Sequence, residues 1–175
     1  AIMGDMFSKS VLGIKNPKLG LLNVGSEQIK GNTIVKKTFD DLKKMNSKIN
    51  FFGFVEGNDI NKGIVDVIVT DGFSGNIALK TAEGVAELIF TFLKNSYNSS
   101  LLSKIGYILS KPALNRFKTR IDPRKYNGAV LLGLNSIVVK SHGGTDAFGF
   151  SNAIGVAVSL IENSYVSEIE KKLMF

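Results

Sequence analysis

The chain has 175 residues, 44% of them hydrophobic, and a formal net charge of +7; this length suits one domain with its own core, and no repeat or low-complexity segment suggests a second. With no cysteine and one histidine, disulfides, a thiolate nucleophile, cysteine-ligated zinc and a histidine-rich metal site are excluded, and a cytosolic setting is favoured by that absence. The first dozen residues include Asp5 and no long apolar region, so no signal peptide is expected; no apolar run approaches the ~20 residues of a spanning helix, so a soluble or peripheral protein is expected.

Residues 1–10 read as the end of a helix that began upstream. Leu19 to Val24 reads as a strand, and Asn32 caps a helix whose apolar stripe is Val35, Thr38, Phe39, Leu42 and Met45. Ile49 to Val55 is the next strand, which completes a β-α-β unit. Asn58 to Lys62 suits a short helical turn.

Val65 to Thr70 is a nearly all-apolar, β-branched run, as expected of a parallel strand covered on both faces. Asp71-Gly72-Phe73-Ser74-Gly75-Asn76 follows as a glycine-spaced turn. After Asn76 the period is helical, with Ile77, Thr81, Val85, Leu88 and Phe92 in one stripe. A helix start behind two glycines suits an anion, because unpaired N–H groups and the positive dipole end meet there. The alternative is that Asp71, Ser74 and Asn76 only shape the turn and cap the helix.

Over 97–121 the strand-helix alternation breaks. Leu101, Leu102, Ile105, Ile108 and Leu109 fall at helical spacing, Pro112 interrupts, and Leu114, Phe117 and Ile121 resume the spacing. These residues read as a helical hairpin with an apolar tip. From Lys94 to Lys125 the basic residues Lys94, Lys104, Lys111, Arg116, Lys118, Arg120, Arg124 and Lys125 face Asp122 alone. The whole net charge of the chain is therefore concentrated here, which points to an acidic partner or an anionic surface. The apolar faces could equally pack on the core or on a second subunit.

Val130 to Val139, broken at Gly133 to Asn135, reads as two short strands or one bent strand. Thr145 then caps a helix with Ala147, Phe150, Ile154, Ala157, Val158 and Ile161 inward, and a last helix uses Val166, Ile169 and Leu173. Alternating strands and helices imply one α/β domain over 1–175, a layered, mainly parallel sheet with helices on both faces.

Thr70-Asp71-Gly72-Phe73-Ser74-Gly75-Asn76 with Ala78-Leu79-Lys80-Thr81 resembles the signature of bacterial acyl-acyl-carrier-protein:phosphate acyltransferases of phospholipid synthesis, the PlsX family. Gly20 to Glu27, Lys30-Gly31-Asn32, Phe52 to Gly57, Tyr126 to Asn135 and Val138 to Gly143 resemble further blocks of that family in the same order. The resemblance covers nearly the whole chain but only the second half of such enzymes, which begin with a half carrying its own glycine-rich strand-turn motif.

The resemblance implies a three-layer α/β/α fold like that of isocitrate and isopropylmalate dehydrogenases, with 97–121 projecting as a hairpin near a homodimer interface. It implies attack of inorganic phosphate on the thioester of acyl-acyl-carrier-protein, giving an acyl phosphate, with no metal and no cofactor. Lys30 would neutralise phosphate, Asn76 would donate its amide to phosphate or oxyanion, and His142 would orient phosphate or protonate the departing thiol. Gly72, Ser74, Gly75, Ser141 and Gly143 are secondary candidates for phosphate or substrate contacts. Leu101, Leu102, Ile105, Lys111, Leu114 and Arg116 would meet an anionic membrane or the acidic carrier protein, giving a cytoplasmic, peripherally attached enzyme. Lys30 could instead be one solvated lysine among many, and His142 a structural histidine.

Other readings keep the fold. His142-Gly143-Gly144-Thr145-Asp146 loosely resembles the adenosine-side loop of the dehydrogenases, but the carboxylates that would bind Mg²⁺ are absent after Asp71, where the next acid is Glu83. Phosphate acetyltransferases match fewer motifs. A non-catalytic half-domain that binds membrane or carrier protein is a further alternative. Nucleic acid is disfavoured, because Tyr97, Tyr107, Phe117 and Tyr126 suit helix packing better than a stacking platform.

Overall fold

The computed structural model describes residues 1–45 and 47–174. In chain order the elements are α1 (Ile2–Leu12), β1 (Lys18–Leu22), α2 (Thr33–Lys44), β2 (Asn50–Val55), β3 (Val67–Val69), α3 (Gly72–Asn98), α4 (Leu101–Arg120), β4 (Ala129–Val130), β5 (Val139–Lys140), α5 (Ala147–Glu162) and α6 (Tyr165–Met174). Short 3-10 turns occupy Gly57–Asp59 and Pro123–Tyr126. The chain divides into two compact units, one of residues 1–70 with 126–175 and the other of residues 71–125.

The first unit is α/β. Its parallel sheet has the order β2-β1-β3. The expected β-α-β unit forms as read: Asn32 accepts the Val35 N–H at 2.9 Å and opens α2. Phe39 from α2 stacks on Phe54 at 4.4 Å between ring centroids, above Leu19 and Leu21. In the β1–β2 register Leu19 faces Phe51 and Gly20 faces Gly53, so Phe52 is an extra residue, and Gly53 takes a φ of 126° there. Such a bulge is open to glycine at little cost. Helix α1 approaches β3 closely, since a Cβ on Gly4 would stand 2.8 Å from Val67 Cγ1.

A second core joins Met6 of α1, Leu160 of α5 and Tyr165 and Ile169 of α6, with Val130, Ile137 and Val139 packed against them. Asp5, 1% exposed, is held there by Lys9 at 2.9 Å and Lys172 at 2.5 Å, tying α1 to α6. The 130–139 region does form two short strands. They pair antiparallel as a separate ribbon rather than adding to the parallel sheet.

Several local expectations change. Thr145 does not cap α5; Asp146 does, accepting the Gly149 N–H at 3.0 Å, and the Thr145 hydroxyl is buried without a partner. The face of α5 expected to turn inward is exposed, with Phe150 at 54% and Ile154 at 52%, while Gly149, Ala153 and Leu160 are buried. α5 is apolar on both sides, so its small residues decide the contact: a Cβ on Gly128 would lie 3.0 Å from Ala153 Cα, which shows how closely the chain passes.

The second unit is the helix pair α3 and α4. α3 begins at Gly72, so both glycines of the motif lie inside the helix rather than in a turn before it. Their φ angles are ordinary, and a cap at Asp71 is enough to start the helix there. The chain reverses at Ser99 and Ser100, where Ser100 accepts the Ser103 N–H at 3.0 Å. Pro112 does not interrupt α4, which continues through it to Arg120. The proline costs one backbone bond in the middle of a long helix, and the apolar residues on either side keep the helical spacing.

Candidate active site

The loop after β1 is built around Asn23, whose side chain is nearly buried. Its oxygen accepts the Val24 N–H at 2.9 Å, and its nitrogen donates to the Lys30 carbonyl at 3.3 Å. Gly31, at φ 88°, closes the loop; a Cβ there would sit 2.4 Å from Asn23 Oδ1. Gly25 lies beneath the Lys30 stem, with Lys30 Cγ 3.2 Å from where its Cβ would be. Lys30 thus leaves a folded loop with its backbone fixed. Its side chain is about half exposed, with the ammonium group 3.8 Å from Glu27, a loose pair that leaves it available to an anion.

The loop carrying Ser141, His142 and Gly143 is pinned by Asn127. Asn127 Nδ2 donates to Ser141 Oγ at 2.9 Å and to the Gly149 carbonyl at 2.8 Å, and its Oδ1 accepts the His142 N–H at 2.9 Å. The imidazole is exposed, and its Nδ1 accepts the Gly144 N–H at 3.2 Å. That bond requires Nδ1 to be unprotonated. The neutral ring therefore carries its proton on Nε2, away from the loop. Gly143 is exposed, and nothing lies within 4 Å of where a Cβ would be.

Gly72, Ser74, Gly75 and Asn76 belong to the second unit, at the start of α3. The Asp71 carboxylate accepts the Ser74 N–H at 2.8 Å, and this bond is the main reason that Asp71 titrates below its ordinary value. Asp71 is thus the helix's own anionic cap. Asn76 is exposed one turn into α3, so its side-chain amide, rather than its helix-bonded N–H, is the donor it offers. Lys30, Ser141, His142 and Gly143 belong to the first unit. Among the described residues no group of three acidic, histidine or cysteine side chains could hold a metal ion.

Sequence reasoning missed Asn127 and Asn23. Each precedes or faces a glycine at positive φ, Gly128 at 116° and Gly31 at 88°, and that pairing is the available signal. Their partners lie up to 22 residues away, which no local pattern reveals.

A family model described as fatty acid synthesis protein matches residues 1–168. The chain is 58% identical over 172 residues to a phosphate acyltransferase of Paramagnetospirillum magneticum, covering 98% of this chain and 49% of that protein. It is 56% identical to a phosphate acyltransferase of Rhodospirillum centenum, over 99% of this chain and 49% of that protein. With the phosphate acyltransferase of Rhodospirillum rubrum the identity is 51%, over 99% and 50% of the two chains. The chain spans about half the length of these relatives and corresponds to their C-terminal half. With nearly all of its residues inside the family match, the chain belongs to the fatty acid synthesis protein family, the PlsX family.

Proposed function

We propose that this chain supplies half of the machinery of a phosphate acyltransferase, which moves a fatty acyl group from acyl-acyl-carrier-protein to inorganic phosphate for phospholipid synthesis. The observation that carries the reading is the similarity to named phosphate acyltransferases at 51–58% identity over almost the whole chain. A phosphate oxygen attacks the thioester carbonyl, the tetrahedral oxyanion collapses, and the carrier thiolate leaves and takes a proton. Lys30 neutralises the phosphate. Nε2–H of His142 orients phosphate, a role supported by the Nδ1 bond to Gly144; to give a proton to the leaving sulfur the ring must first be imidazolium, with Nδ1 released from the Gly144 N–H, and it returns to the neutral form as the thiol departs. Asn76 donates its amide to phosphate or oxyanion, and Gly72, Ser74, Gly75, Ser141 and Gly143 provide the remaining contacts.

The same reading takes the whole chain as one domain of a three-layer, dehydrogenase-like fold whose α3–α4 pair projects. No helix is long and apolar enough to cross a membrane among the described residues. Leu101 and Leu102, 80% and 79% exposed at the serine turn, together with Ile105, Lys111, Leu114 and Arg116, serve peripheral attachment to an anionic membrane or capture of the acidic carrier. The enzyme works as a cytoplasmic homodimer. A second reading, binding without catalysis, is favoured by the same exposed apolar and basic helix. The two separate in one assay: thiol release from acyl-acyl-carrier-protein, measured with and without phosphate. Turnover supports the transferase; vesicle binding by a Lys30→Ala, Asn76→Ala, His142→Ala variant, with no turnover by the unaltered chain, supports the binding module.

A further inference from the structure

Between α3 and α4, wholly within the second unit, lies a cleft of about 630 Å³. Its walls are apolar and aromatic: Leu93 and Tyr97 from α3, Tyr107, Ile108 and Leu114 from α4. Tyr97 and Tyr107 meet edge to face at 5.3 Å between ring centroids, which braces the two helices on one side of it. Lys94, Lys104 and Lys118 also line the cleft. None of these three lysines has an acidic partner among the described residues. The nearest acid in sequence to Lys118 is Asp122, and its carboxylate is already engaged by Arg124 at 2.6 and 2.9 Å.

An apolar cleft of this volume lies within the ~300–1,000 Å³ range of small-molecule sites. Long lysine stems can line apolar walls while their charges stay at the water boundary. Three unpaired cations around a greasy slot call for a ligand with one apolar tail and one anionic end. From this charge complementarity we propose that the α3–α4 cleft binds a single-chain anionic amphiphile taken up as a monomer, its tail between Leu93, Ile108 and Leu114 and its head among Lys94, Lys104 and Lys118. The site shares only Leu114 with the membrane-facing surface proposed above. Leu102, Ile105 and Leu109 lie on another side of α4, exposed and outside the cleft. The inference stands on the cleft and its charges and does not depend on the phosphate acyltransfer reading.

The test is calorimetric titration of the chain with dodecyl phosphate kept below its micelle concentration, with dodecyl maltoside as the neutral control of equal tail. Saturable one-to-one binding is expected, weakened roughly tenfold or more in Lys94→Glu, Lys104→Glu, Lys118→Glu and for the maltoside. A second variant, Ile108→Trp, fills the slot without touching the charges and should weaken both ligands, with circular dichroism checking that each variant stays helical. Absence of saturable binding, or equal affinity in the charge-reversed variant, overturns the proposal. So does binding seen only with phosphatidylglycerol vesicles, only with acidic carrier protein, or only in competition with self-association of the chain. Those three outcomes assign the cleft to a bilayer, a protein or a second copy.

Discussion

The side-chain oxygen of Asn127 accepts the backbone N–H of His142 at 2.9 Å, while the same amide's nitrogen serves Ser141 Oγ and the Gly149 carbonyl. One nearly buried side chain thus sets the position of the histidine loop and anchors it to the start of α5. Asn127→Ala leaves these groups without their partner and should destabilise the first unit by about 1–3 kcal/mol. Asn127→Asp keeps the bond to the His142 N–H but turns two donors into acceptors, so it should not restore stability. Urea titration of the two variants against the parent checks both statements.

Gly31 and Gly143 make a contrasting pair in the same unit. Gly31→Ala combines a φ of 88° with a Cβ 2.4 Å from Asn23 Oδ1, and should cost more than ~1 kcal/mol. Gly143→Ala meets nothing within 4 Å at an ordinary φ, and should change stability by less than ~1 kcal/mol. Thermal melts of the two variants distinguish them. If Gly143→Ala is as stable as the parent yet fails in turnover, the loss belongs to substrate contact rather than to folding.

Asp5 connects α1 to α6 through Lys172 at 2.5 Å in a buried setting. Asp5→Ala leaves that lysine, whose side chain is 19% exposed, without its counter-charge. Loss of about 3–5 kcal/mol is expected. Asp5→Ala with Lys172→Met should recover a large part of it, because the more buried of the two lysines on Asp5 is then no longer stranded, while Lys9 is more exposed. Equal destabilisation of the single and double variants would refute the pairing as the cause.

Asp122 is drawn down from its ordinary 3.8 to about 2, chiefly by the hydrogen bond from the Arg124 guanidinium. A carboxylate whose folded-state pKa is lowered stabilises the fold above its unfolded pKa and loses that contribution as pH falls through the folded one. The Asp122 contribution should therefore be complete above about pH 4 and vanish towards pH 2. Acid titration of helicity in Asp122→Asn should match the parent at the acid end and fall below it near neutrality.

The first β-α-β unit was legible because its signals are local. Asn32 stands before an amphipathic stripe, and the strands on either side are apolar runs bounded by polar turns. Three features were hidden by competing physics. Gly72 and Gly75 carry a turn signal, yet the Asp71 cap starts the helix ahead of them. Pro112 carries a break signal, yet a helix of 20 residues absorbs it. In α5 the apolar residues spread over two adjacent faces, so hydrophobicity could not choose between them, and Gly149 and Ala153 made the choice by letting another segment approach. Among the site residues, His142 stood out as the chain's single histidine beside glycines. Asn127, which holds its loop, did not, because an asparagine before a glycine looks the same in an exposed turn.

The most direct test combines the chain with the N-terminal half of a full-length relative and follows thiol release from acyl-acyl-carrier-protein as phosphate is added. The account predicts release that depends on phosphate and falls ~10²-fold or more in His142→Ala, with the fold intact. Release that ignores phosphate, or that is unchanged when Lys30, Asn76 and His142 are each replaced by alanine, would contradict it.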